Sequence, residues 1–95
     1  MKILAIERGV EGVTDDRYEP FLREEAARVW DLYQAGIIRE AHFRTDREEA
    51  VLTLECTDEE EAERILATLP LVKQQLIAFD IVPLRPYPGL ARLFA

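Results

Sequence analysis

The chain has little of several residues that carry chemistry: one cysteine, one histidine, one tryptophan and one methionine in 95 residues. A lone cysteine, Cys56, excludes an internal disulfide and fits a reducing, cytoplasmic compartment. One histidine and one cysteine on opposite predicted faces do not make a zinc or iron site, and no metal or other cofactor is expected. Positive charge is also short. Twelve Lys and Arg against nineteen Asp and Glu leave a net charge of −7. That balance argues against nucleic acid, whose phosphate backbone wants clustered Lys and Arg, and against an anionic membrane surface. No apolar run reaches transmembrane length, and the opening MKILAIERG is too short for a signal-peptide core. There is no nucleophile elbow, phosphate loop or dinucleotide glycine pattern, and no internal repeat or low-complexity segment. What remains is 48% hydrophobic and 33% charged, an ordinary globular balance. It reads as one domain over residues 1–95, with a core thin enough that self-association is a common remedy.

The order of elements is legible. KILAIE, residues 2–7, is an apolar run of strand length, and residues 8–19 carry turn formers and two glycines. Pro20 suits a first helical turn, and Phe21 to Ala35 is helical, with Leu22, Ala26, Val29 and Tyr33 recurring on one stripe. Gly36 stands where a helix end needs a left-handed residue. Two strands follow, at about 37–44 and 49–56, joined by the polar link Thr45–Glu48. Thr57 with Glu60 reads as a capping box for a helix at about 58–68 that buries Ala62, Ile65, Leu66 and Leu69 and ends at Pro70. LIAFDIVPL, 76–84, is the last strand. The prolines at 83, 86 and 88 and the apolar Leu90, Leu93 and Phe94 then form a tail, 85–95, read as an assembly arm that docks on its own helices or on a partner. The sequence β-α-β-β-α-β predicts an α+β, ferredoxin-like fold: a four-stranded antiparallel sheet with both helices on one face.

Strand alternation sorts residues by face. If Arg44 pairs with Glu49 beside the turn, Ala41 lies opposite Leu52 and His42 opposite Val51. One face then holds Ile37, Ala41, Phe43, Leu52, Leu54, Cys56, Ile77, Phe79 and Ile81, and the helices should cover it, with Arg39 as a misfit. The other face mixes apolar and ionisable groups: Ile38, Glu40, His42, Arg44, Val51, Thr53, Glu55, Leu76, Ala78, Asp80 and Val82. A half-polar sheet face wants a second layer, and another copy of the same sheet would close it into a barrel about a two-fold axis.

On that mixed face His42 is the first chemical candidate, because its unperturbed pKa lets it donate or accept a proton near neutrality. Asp80 or Glu40 could orient its ring. Asp80, in an apolar strand, needs a partner or a raised pKa, and Arg44 or Arg85 could pair with it. Thr53 and Arg44 share the face and could touch a substrate, and Tyr33, Tyr87 and Trp30 could edge a pocket. The bland alternatives are a histidine at a dimer seam and aromatics in a core. The acids of TDEEEAE sit at a helix start, where they are stabilised, and read as a solvated face.

From about residue 24 to 88 the chain resembles muconolactone isomerase and its relatives in the dimeric α+β barrel superfamily. The residues that carry the likeness are EEAARVWDLYQAG running into GIIREAHF, the helix TDEEEAERILATLPL closing on Leu-Pro-Leu, and a last strand leading into RPYPG. The resemblance implies a homodimer or a larger ring of dimers, an interior pocket for a small-molecule ligand, and cofactor-free isomerisation of a small cyclic, lactone-like compound. It also implies that Arg39, just after the helix-ending glycine, holds a substrate carboxylate. The alternative function is a non-catalytic binding or oligomerisation module.

Overall fold

The computed structural model describes all of residues 1–95. The apolar run at the start forms β1 (Lys2–Gly9), two short turns of 3-10 helix follow, and the amphipathic segment becomes α1 (Leu22–Gln34). Gly36 ends that helix with φ +77°, the left-handed value that the sequence predicted for it. β2 (Ile38–Phe43) and β3 (Ala50–Glu55) form the hairpin, α2 (Glu59–Leu66) crosses back over the sheet, and α3 (Pro70–Lys73) is a single turn that starts on Pro70. β4 (Ile77–Leu84) completes an antiparallel sheet in the order β2-β3-β1-β4, the ferredoxin-like arrangement. Pro83 lies in β4, an edge strand, where a missing N–H costs no ladder bond on the open side. No helix is long and apolar enough to cross a membrane.

The hairpin register agrees with the sequence reading at its closed end: Ala41 faces Leu52 and His42 faces Val51. It departs at the other end. The register shifts between Ile38 and Glu40, so that Ile38 pairs with Leu54 and Arg39 is the extra residue. Such a bulge inverts the facing of everything before it. Ile38, expected on the mixed face, is therefore buried in the core, whereas Ile37 only packs against its margin. Arg39 stops being a misfit because the bulge releases it from the covered face. Leu76 was also expected on the mixed face. It precedes the strand and is buried with Leu71 and Ile77 in a small cluster below α3.

The main core joins Ile3, Ala5, Leu52 and Leu54 of the central strands to Leu32 of α1 and to Ala62, Leu66 and Leu69. Cys56 is buried there, and burial pushes its thiol pKa up, as a structural cysteine requires. The cap of α2 is one residue later than predicted. Asp58, not Thr57, accepts the hydrogen bond of a first-turn amide, from Glu61 N at 2.8 Å, while the Glu61 carboxylate reaches back to Thr57 N at 3.2 Å. Asp58→Ala is therefore expected to cost about 1 kcal/mol, several times more than Glu60→Ala, in urea unfolding.

Candidate active site

α1 does not lie flat on the sheet. Of its residues only Leu32 is buried; Leu22, Trp30 and Tyr33 are 45%, 59% and 51% exposed. Beneath the helix a cavity of about 670 Å³ opens toward β2. The stripe of Leu22, Ala26, Val29 and Tyr33, which periodicity alone assigns to a core, forms its roof. Ala41 and Phe43 stand at its mouth. Both were expected under the helices, but both are exposed, Phe43 by 68%, because α1 leaves this corner of the sheet uncovered. Trp30 and Tyr33 stack at 5.9 Å between ring centroids and an interplanar angle of 20°.

Two carboxylates face this largely apolar space, and the sequence reading passed over both. Glu7 follows Ile3 and Ala5 on the inward side of β1; Glu25 sits one turn beyond Leu22 on the inward stripe of α1. Each is half-buried and held by one backbone amide. Glu7 Oε1 accepts from Ala50 N at 3.0 Å, and Glu25 Oε1 accepts from Leu71 N at 2.9 Å, where it caps the short α3. Burial raises the pKa of both; at Glu7 the nearby charges of Glu49 and Glu25 add to it, and in each case the backbone hydrogen bond partly opposes the rise. No Lys or Arg lines the cavity. Carboxyl groups whose pKa values lie above the ordinary carboxylate range are suited, in an apolar space, to both taking and giving a proton.

The residues chosen from the sequence are spread across the fold. His42 borders the cavity between Ala41 and Phe43, while strand alternation turns its imidazole to the opposite, open face. His42, Val51, Ile6 and Asp80 occupy one row across all four strands, with His42 and Asp80 on opposite edges. Three inter-strand spacings, roughly 14 Å, separate them, so Asp80 cannot orient His42 within one chain. Asp80 instead pairs with Arg8 at 3.0 Å, not with Arg44 or Arg85. Glu40 shares the open face with His42 and lies opposite Thr53, which in turn faces Leu4. Arg39 folds back to donate to the Gly36 carbonyl at 2.6 Å. Arg44 is engaged in the hairpin turn, 2.7 Å from Asp46. Tyr87 is 70% exposed on the tail, away from the cavity.

Neither a protein-family model nor the sequence of a characterised protein matches the chain. Its fold is similar to that of 5-chloro-2-hydroxyhydroquinone dehydrochlorinase from Burkholderia phenoliruptrix AC1100, solved in complex with 2,5-dihydroxybenzoquinone. The TM-score is 0.74 over 94% of this chain and 98% of that one, at 14% identity. At that identity the likeness establishes the ferredoxin-like α+β fold.

Proposed function

We propose that this protein is a cofactor-independent acid–base enzyme that moves a proton on a small cyclic compound, with the cavity under α1 as its reaction chamber and Glu7 and Glu25 as the transferring groups. One observation carries the reading: two half-buried carboxylates with raised pKa values face a largely apolar space that no Lys or Arg lines. The ionised partner takes a proton from carbon or oxygen of the ring. The protonated partner donates to the oxygen on which charge develops. Because the lining is acidic and Arg39 is turned away, the chamber suits an uncharged or cationic ring better than the carboxylate expected from the sequence. The oxygenated six-membered ring held by the dehydrochlorinase is of the size and polarity that such a chamber takes. Isomerisation of an unsaturated lactone and rearrangement of a hydroxyquinone both need only this proton traffic.

The open face fits a homodimer. Leu4, Ile6 and Val51 stand half-exposed in its middle with ionisable groups toward its edges, so a second copy of the sheet would cover it. His42 and Asp80 then act as seam residues.

The test is proton exchange in D₂O, followed by NMR, on a panel of unsaturated lactones and dihydroxyquinones. The wild-type protein is expected to accelerate deuterium incorporation at one ring position, and His42→Ala to leave that acceleration within about twofold. Loss of exchange in His42→Ala would return the chemistry to the open face.

A further inference from the structure

The segment 85–95 carries Tyr87, Leu90, Leu93 and Phe94, exposed by 70%, 60%, 76% and 86%. It is not a loose end. Pro88–Leu93 forms 3-10 turns, and the Tyr87 ring lies over Gly89 so closely that a Cβ there would stand 2.3 Å from it. Yet it leaves the body of its own chain: the molecule extends 56 Å along its longest axis, and its radius of gyration is 15.3 Å where a compact chain of this length has about 12 Å. Four ordered, unpartnered apolar side chains on eleven residues are a ligand without a receptor.

The receptor is on the same molecule but at the opposite edge of the sheet from where its own arm departs. The arm departs from Leu84, which pairs with Lys2 on the β4 edge, whereas the mouth of the cavity lies at the β2 edge, beside the other end of β1. The mouth is walled by the exposed Leu22, Trp30, Tyr33 and Phe43, an apolar area left bare by its own chain. Charge also matches. Arm residues 85–95 include Arg85 and Arg92 and no Asp or Glu, while the cavity presents Glu7 and Glu25 and no Lys or Arg.

We infer that the arm of one copy closes the cavity of another, so that the reaction chamber is completed in trans by Leu90, Leu93 and Phe94. The inference takes the cavity of the proposed acid–base site as its receptor. A closed chamber excludes water, which is what strengthens the electrostatics of the two carboxylates. An association built this way passes a segment from copy to copy, and it is separate from pairing through the open face.

Disulfide trapping tests it without any ligand, so its failure is distinct from failure of the acid–base reading. In a Cys56→Ala background, a chain with Phe94→Cys is mixed with one carrying Tyr33→Cys and mildly oxidised. The mixed pair is expected to be the main cross-linked product, well above either self-paired species. A chain bearing both substitutions that cross-links within itself, or a mixture giving no mixed product, overturns the inference. Trp30, the only tryptophan, supplies a second readout. Its emission is expected to shift red in Leu93→Ser/Phe94→Ser and on dilution of the wild-type protein; emission unchanged by both also overturns it.

Discussion

A chain carrying Glu7→Gln and Glu25→Gln together is expected to lose turnover by roughly 10²–10⁴-fold, the range that a positioned acid or base supplies. The same chain is expected to be at least as stable as the wild type at neutral pH. Both outcomes follow from one cause. Each carboxylate is buried enough that its folded pKa lies above the unfolded value of about 4.3. The folded state therefore holds its protons at pH values where the unfolded chain has released them. The stability that this confers is complete below the unfolded pKa and disappears as pH rises through the folded pKa. Glutamine keeps a carbonyl oxygen to accept from Ala50 N or Leu71 N but never ionises, so the variant escapes the loss. Urea midpoints measured from pH 4 to 7 should fall for the wild type and stay flatter for the double variant. If both carboxylates were purely structural caps, glutamine would keep those backbone bonds and the variant would retain turnover, or lose it only in step with unfolding. The single variants assign the roles: the substitution that lowers kcat across the pH range identifies the base, and the one that chiefly removes the alkaline limb of the profile identifies the acid.

The second large effect is on the core. Ile38→Ala is expected to cost roughly 3 kcal/mol, and Ile37→Ala about 1 kcal/mol, in urea unfolding. Ile38 is 1% exposed and faces Leu54 across the bulge; Ile37 lies on the margin of the same cluster. Deleting three carbons from a fully enclosed site leaves a void, whereas a margin can relax around the loss. With a typical total stability of about 5–15 kcal/mol, the first substitution removes a large fraction. The opposite order of costs would mean that β2 keeps strict alternation through residue 39.

That bulge marks where the sequence stopped being informative. Element order, the hairpin link and the pairing of His42 with Val51 follow from period two and from turn residues, which are local signals. Nothing local distinguishes Ile37 from Ile38, since both are β-branched and adjacent. Only the competition for space against Leu54 selects one, and the single clue was that strict alternation left Arg39 facing the core. The site was hidden for a different reason. Glu7 and Glu25 each occupy an inward position of a pattern otherwise apolar, and alternation applied to KILAIERG would have exposed the first. His42 drew notice because it is chemically rare, although its strand position turns it away from the chamber. Sheet order then sets Asp80 on the far edge, a separation that pairwise reasoning along the chain does not contain. The lifted position of α1 was not legible either, because an apolar stripe reads alike whether it meets side chains or empty space.

The shallow seating of α1 also makes the molecule uneven in its rigidity. Ile3, Ala5 and Leu54 are wholly enclosed at the centre of the sheet, and Leu69 beside it, while α1 is fixed by Leu32, by the Arg28 hydrogen bond to Thr68 and by the Glu25 bond to Leu71. The free energy of opening should therefore be lowest along this helix and highest along β1 and β3, so that α1 breathes while the sheet remains intact. A ring compound bound beneath it would draw part of its affinity from damping that motion, and one of the anchors that set the amplitude is itself a carboxylate whose protonation changes its grip.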